Sequence, residues 1–163
     1  MDISPITSGL RAHTQPGYNE LEIQLQRIAR IGKKLFDVAN CVIRIKGVAS
    51  GPSLAPDNAM AVLAEAFCDQ VPFSDLPIIA PDTRNLPALA QQKAVVGAPY
   101  IRFYAMHPVY DDDHAVIGSV HLVAYAVRLF GEFEQQLLAD LASLVERELR
   151  LATVNASQQD LIK

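Results

Sequence analysis

Residues 96–109 decide the fold, with the sequence VGAPYIRFYAMHPV. The segment opens with turn-forming residues, and from Ile101 onward its side chains alternate in polarity as they do in a half-buried strand. An acidic tip, residues 111–114, leads into a second alternating run from Val116 to Tyr125. Two alternating runs around a polar tip predict a β-hairpin, and we expect it at the centre of an antiparallel sheet.

The two faces of this hairpin differ in polarity. Directly opposed residues of antiparallel strands share a face, and pairing about the acidic tip predicts Tyr104 opposite His121. The mixed face then carries Arg102, Tyr104, Met106, Ser119, His121 and Tyr125. The apolar face carries Ile101, Phe103, Ala105, Val120, Leu122 and Ala124. We expect helices to cover the apolar face, whereas a mixed face with a few polar groups suits the lining of a ligand pocket.

Helical and strand patterns flank the hairpin. The order is a helix from Asn19, a strand at 41–46, a helix at 59–67, a strand at 76–80, a short helix at 88–93, the hairpin, and a long helix from Glu132. Residues 1–18 are predicted as an N-terminal extension, 19–152 as the domain, and 153–163 as the start of a connector helix to a missing output domain. The predicted fold class is α+β, with the N- and C-terminal helices on one face of an antiparallel sheet.

Composition excludes several classes of function. A net charge of −4 without a basic stripe argues against a nucleic-acid surface. Cys41 and Cys68 are too few for a disulfide framework, which favours the cytoplasm. No apolar run is long enough to span a membrane, and the N-terminus lacks a signal-peptide pattern. Phosphate-loop, HExxH and GxSxG motifs are absent from the sequence, so we expect no catalytic activity.

Five motifs in order resemble one known family. The stretch from Gly97 to Ala105 is similar to the GxPxIRFYAGxPL segment of bacterial GAF domains, many of which precede diguanylate cyclase (GGDEF) domains. Residues 66–68 resemble the family's SFC motif, 78–83 its LVVPDA motif, 117–120 its LGTL strand, and 137–149 its closing helix. The resemblance implies a sheet of five or six strands, with short helices and loops over a pocket on the face away from the terminal helices. It also implies a sensory domain that controls a C-terminal output domain, here a diguanylate cyclase making cyclic di-GMP.

The candidate ligand-binding residues combine the mixed face with neighbouring motifs: Arg44, Cys68, Asp82, Arg102, Tyr104, Met106, Ser119 and His121. Two arginines and a histidine favour an anionic small molecule, such as a carboxylate or phosphate. Structural alternatives stay open: Arg102 paired with Asp82 or another acid, Tyr104 and Met106 as packing residues, His121 as a hydrogen-bonded core residue, and Cys68 as a buried apolar residue.

No metal or cofactor is predicted. Three consecutive acids at the hairpin tip do not converge on one ion. Cys68 is followed by Asp69, where bilin-attaching GAF domains tend to have histidine, and no NKFDE signature of cyclic-nucleotide binding is present.

The long helix carries a second apolar stripe, Leu137, Leu144 and Leu151, at seven-residue spacing. Such a stripe predicts a homodimer through the terminal helices. Two alternatives stay open. The chain could be a GAF-fold enzyme of the free methionine sulfoxide reductase type, or an empty GAF domain that serves only for dimerisation, with its own side chains filling the pocket.

Overall fold

The structure, a computed structural model, describes residues 16–48 and 59–162, with side chains for 20–48 and 59–158. Most of the predicted N-terminal extension lies outside these residues. In chain order the elements are α1 (Pro16–Phe36), β1 (Asn40–Ile45), α2 (Ala59–Gln70), β2 (Ile78–Ala80), a 3₁₀ turn (Thr83–Asn85), α3 (Pro87–Ala90), α4 (Lys93–Val96), β3 (Phe103–Tyr110), β4 (Val116–Ala124) and α5 (Glu132–Ile162).

The sheet is antiparallel, with the strand order β1-β4-β3-β2. The hairpin β3–β4 is central, as predicted, and β2 is an edge strand. The predicted five or six strands are wrong for the described residues, which form four. Prolines account for part of the difference, because Pro77 and Pro81 flank β2 and cannot donate hydrogen bonds to extend the ladder.

The register of the hairpin differs from the prediction by two residues. Tyr104 lies opposite Val123, and Met106 lies opposite His121. The difference arises at the tip, where the pairing shifts between Val109 and Tyr110. Side chains alternate with period two, so an even shift preserves the predicted division into faces.

Helices α1 and α5 cover the apolar face. Phe103, Ala105, Val120 and Leu122 are fully buried there, in one cluster with side chains from both helices. Ile101 is a correction, because it belongs to the cluster on the opposite face. Strand β3 begins only at Phe103, and Tyr100 has a φ of 61°, so the strand alternation does not extend back to position 101.

Two glycines set how closely the layers approach. A Cβ on Gly118 would collide with the backbone carbonyl oxygen of Arg44 on the neighbouring strand β1. A Cβ on Gly32 would lie 2.7 Å from the Cys41 sulfur and from a Leu141 methyl carbon. Glycine at these positions therefore permits the pairing of β1 with β4 and the seating of α1 on β1.

Helix α5 is continuous over 31 residues. From the sequence, a polar segment after Ala152 could have ended the helix. In the structure, the helix continues through this segment as far as Ile162. At 1.5 Å per residue its length is roughly 46 Å. Within residues 16–48 and 59–162, no helix is both long and apolar enough to cross a membrane.

Candidate functional site

The mixed face of the sheet contains a buried chain of three hydrogen-bonded side chains. The Tyr104 hydroxyl lies 2.7 Å from His121 Nδ1, and Ser119 Oγ lies 2.7 Å from His121 Nε2. All three residues are at most 1% exposed. A neutral imidazole has one donor and one acceptor nitrogen, so one hydroxyl donates to the ring while the other accepts from it. His121 is thus a fully hydrogen-bonded core histidine.

Burial keeps this chain uncharged. It lowers the pKa of His121 to about 3, with a smaller contribution from the positive charge of Arg44. Burial likewise raises the pKa of the Tyr104 phenol far above its ordinary value. The imidazole and the phenol are therefore neutral at physiological pH, and neither provides a charged group for catalysis or ion binding.

Helix α2 closes the mixed face. The Phe67 ring meets the Tyr104 ring edge-on, with 5.3 Å between the centroids. Cys68 and Met106 are fully buried in the same cluster. The structure thus brings Tyr104, Met106, Ser119, His121 and Cys68 together as packed core beneath α2. The sequence did not predict that α2 fills the mixed face. The signal was the helical spacing of its buried residues, Ala61, Ala64, Phe67 and Cys68.

Arg44 shares the mixed face and ties β1 to the end of α2. Its Nη1 donates to the carbonyl oxygens of Cys68 at 2.9 Å and Val71 at 2.8 Å, and its Nε lies 3.5 Å from Asp69 Oδ1. The guanidinium also stacks 4.3 Å from the centroid of the Phe73 ring. A positive charge on these carbonyls complements the negative end of α2.

Arg102 is held in a similar way at a different helix. Its Nη1 donates to the carbonyl oxygens of Val95, in α4, at 2.9 Å and of Ile101 at 3.1 Å. The two arginines are therefore each engaged by backbone carbonyls, at the ends of two separate helices.

Asp82 forms its ion pair with Arg84 rather than with Arg102, the partner that one of the structural alternatives gave it. Asp82 accepts hydrogen bonds from Nε and Nη2 of Arg84, both at 2.9 Å, and caps the 3₁₀ turn through the Arg84 amide. The Arg84 hydrogen bond holds the pKa of Asp82 below its ordinary value. Asp82 pairs with Arg84 because Arg84 lies only two residues away on the same turn.

A model of the GAF domain family matches residues 20–149. The chain belongs to the GAF domain family. No curated protein matches it.

Solved structures share the fold of this GAF domain at low sequence identity. A domain described as part of a two-component sensor histidine kinase protein from Sinorhizobium meliloti 1021 is 12% identical, with a TM-score of 0.63, over 83% of this chain and 94% of its own. A far-red cyanobacteriochrome photoreceptor is 15% identical, with a TM-score of 0.57, over 92% and 94%. The blue-light absorbing form of the Thermosynechococcus elongatus PixJ GAF domain is 12% identical, with a TM-score of 0.56, over 90% and 97%. These similarities establish the fold alone.

The two cysteines of this GAF domain lie on opposite faces of the sheet. Cys41 belongs to the cluster beneath α1 and α5, whereas Cys68 belongs to the cluster beneath α2. Both are free and buried. Burial raises the pKa of Cys41 to about 12 and that of Cys68 well above its ordinary value, so both are protonated thiols rather than reactive thiolates.

The acidic tip shapes its own turn. Asp111 Oδ1 accepts hydrogen bonds from the backbone amides of Asp113 at 2.8 Å and Ala115 at 2.9 Å. Across the part of the chain that the structure describes, no group of three histidine, cysteine, aspartate or glutamate side chains is placed to hold a metal ion.

A groove that the sequence did not predict lies on the helical side of the sheet. It has a volume of about 330 Å³ and lies between β2, β3 and the start of α5. We call it the α5 groove; its lining residues are Pro77, Ile79, His107, Glu132, Gln135, Gln136 and Leu138. The one available signal was His107, a polar residue at a position of β3 where the alternation places apolar side chains.

Proposed function

We propose that this GAF domain is a regulatory module that dimerises through α1 and α5. A change in packing would pass along α5 to a C-terminal output domain, for which we propose a diguanylate cyclase. The observation that carries this proposal is an exposed apolar stripe on α5 that continues along its C-terminal part.

The stripe lies beside the buried seam of α5. Its members lie within about 100° of one another around a helix of 3.6 residues per turn: Phe133, Leu137, Leu144, Leu151 and Val154. Leu137 is half-buried against the core, and the other four are exposed. Leu144, Leu151 and Val154 are 44%, 45% and 49% exposed. Helix α1 packs against α5 and adds Ile31 and Leu35, which are 53% and 50% exposed. Large apolar side chains exposed at this spacing favour another helix, and a second copy supplies an identical stripe.

The proposed dimer is tested by sedimentation equilibrium with one variant and one matched control. Leu144→Glu places a charge in the stripe and is expected to give a monomer with unchanged helical circular dichroism. Leu129→Glu makes the same change at a residue that is 86% exposed but lies before α5, and it should stay dimeric. A wild-type chain that stays monomeric at the highest attainable concentration would refute the dimer.

The output domain is a separate question with a separate test. The proposal of a diguanylate cyclase is supported by the resemblance of residues 97–105 to GAF domains that precede such enzymes. Reading the residues that follow Lys163 in the parent gene tests it directly. A GGDEF-type sequence there supports the proposal, and a different output domain replaces it.

A second candidate is a dimerisation module without a small molecule on the mixed face. The packed chain of Tyr104, His121 and Ser119 beneath α2 favours it. An anion at Nη1 of Arg44 would have to displace the carbonyl groups of Cys68 and Val71. A thermal-shift screen with carboxylates and phosphates separates the two candidates, because only the sensor gains stability from a bound anion.

We further propose that the chain itself is not an enzyme and that it works in the cytoplasm. The support is the pair of buried, unlinked thiols on opposite faces of the sheet. A thiol-dependent methionine sulfoxide reduction assay, with Cys68→Ala as the control, tests the catalytic alternative. Turnover that depends on Cys68 would refute the non-catalytic role.

A further inference from the structure

We propose that the α5 groove binds a small organic cation, an ammonium or guanidinium group on a short apolar body. The inference rests on the proposed function in one respect: it takes α5 to be the helix that transmits the signal. Three observations carry it: the hydrogen-bonding character of the groove, its charge, and its apolar walls.

The hydrogen bonds that the neutral lining side chains already make use their nitrogen donors and leave most of their acceptors open. Gln135 Nε2 donates to the Phe130 carbonyl at 3.1 Å, and Gln136 Nε2 donates to Asp140 Oδ1 at 3.0 Å. His107 Nδ1 lies 2.8 Å from the carbonyl oxygen of the next residue. Carbonyl and carboxylate oxygens only accept, so each of these nitrogens must donate. The two glutamine Oε1 atoms are left as acceptors, and each Nε2 keeps one further N–H. In the neutral form of the His107 ring, Nε2 is an acceptor as well.

Glu132 adds a negative charge to this set. Its neighbour Glu134 accepts a hydrogen bond from the Gly131 amide at 3.0 Å and so caps the helix. Among the described residues the Glu132 carboxylate has no such partner, and it lines the groove. The two glutamates offset the positive end of the α5 dipole, which would otherwise disfavour a cation. The negative charge of Glu132, with the glutamine Oε1 acceptors beside it, favours a cation with N–H donors and disfavours an anion.

The remaining walls suit a short hydrocarbon chain. Ile79 and Pro77 line the groove from the β2 side, and Leu138, which is only 1% exposed, lines it from α5. A volume of about 330 Å³ lies at the lower end of the range for small-molecule sites. An amine or guanidine with a few methylene groups therefore matches the groove in size as well as in polarity.

The position of the groove gives a bound cation direct access to the output helix. Glu132, Gln135 and Gln136 lie in the first two turns of α5, whereas Ile79 and His107 lie on the sheet. A cation contacting both sets would fix the start of α5 against β2 and β3. The signal would then enter at the helical layer and need not cross the packed mixed face.

The test is a titration of the ¹⁵N-labelled chain with n-hexylammonium and n-hexylguanidinium, followed by amide chemical shifts. Uncharged 1-hexanol and anionic hexanoate serve as probes of equal chain length. We expect saturable shifts at Ile79, His107, Gln135 and Gln136 with at least one cation, and its head group then identifies the preferred class. Glu132→Gln should weaken that binding roughly tenfold or more. Asp112→Asn, the same charge change at the exposed hairpin tip, should not.

Three results would overturn the site: no saturable shifts at the groove, equal shifts with hexanol or hexanoate, or unchanged affinity in Glu132→Gln. Sedimentation of the same samples separates this inference from the proposed function. Loss of the groove response in an intact dimer refutes the site alone. A wild-type monomer that still binds hexylammonium refutes the dimer alone.

Discussion

At the residue scale, His121 makes the stability of the domain depend on pH. Its imidazole is buried and hydrogen-bonded on both nitrogens, and its pKa falls from 6.5 to about 3 on folding. Above pH 6.5 neither the folded nor the unfolded chain protonates this residue. As the pH falls below 6.5, His121 becomes protonated in the unfolded chain but stays neutral in the folded chain. The free energy of unfolding therefore decreases.

We predict that this single group lowers the free energy of unfolding by about 1.4 kcal/mol per pH unit between its unfolded and folded pKa values. The measurement is urea unfolding at several pH values between about 7 and about 4, for the wild type and for His121→Gln. The variant lacks the titrating ring, so its stability should fall less steeply with acid. Parallel curves for the two proteins would mean that His121 is not the residue responsible.

At the element scale, α2 is held on the sheet by Arg44. Replacing Arg44 with Met removes the side-chain donor to the carbonyl groups of Cys68 and Val71. The Cys68 carbonyl still accepts from the Val71 amide at 3.2 Å, whereas the Val71 carbonyl loses the Arg44 donor. We predict that Arg44→Met lowers the free energy of unfolding by about 2 kcal/mol. The amides in the last turn of α2 should also exchange with solvent deuterium about tenfold faster or more.

Lys46→Met is the matched control for that experiment. It removes the same charge, and Lys46 also lies over the Phe73 ring, at 5.3 Å. Lys46 is exposed, so its loss should change the free energy of unfolding by less than about 0.5 kcal/mol. Equal exchange rates in the two variants would show that charge or ring stacking, rather than the carbonyl contacts of Arg44, holds α2 in place.

The elements also show which features a sequence can predict. The division of the hairpin into faces was predictable, because alternation survives a two-residue error in register. The partners of Arg44 and Arg102 were not, because every residue has a carbonyl group and no side-chain pattern marks the one that accepts. Asp82 was a candidate ligand contact, with Arg102 as its alternative partner, and the short-range pairing with Arg84, two residues away, was not considered.

The sites divide in the same way. Buried residues of the mixed face were found through their polarity pattern, but whether they line an open pocket depended on how α2 packs. The α5 groove was missed because three separate elements form it, and its glutamines look like ordinary solvent-facing residues of a helix. The spacing of residues along the chain does not predict a site of this kind, because the site depends on the distances between separate elements.

At the scale of the whole molecule, the two sides of the sheet differ in packing. The side beneath α2 is filled by Phe67, Tyr104 and Met106, which suits a rigid platform. The helical side carries the α5 groove and the exposed stripe, and both lie on α5. Regulation is therefore most direct if the dimer interface and the input site share that helix, since no rearrangement of the core is then required.

The proposed dimer makes a geometric prediction about α5. In a parallel pair of helices related by a twofold axis, equal positions of the central stripe face each other. Leu151→Cys should therefore form a disulfide between two copies under mild oxidation, seen as a dimer on non-reducing gel electrophoresis. Background linkage through Cys41 and Cys68 should be low, because both are buried.

Arg150→Cys is the control for this prediction. It lies one residue earlier and points about 100° away from the stripe around the helix, and it is exposed. We expect little crosslinking at this position. Equal crosslinking of the two variants would indicate random collision. Crosslinking at position 150 but not 151 would place the interface on another face of α5, and the leucine stripe would then need a different partner.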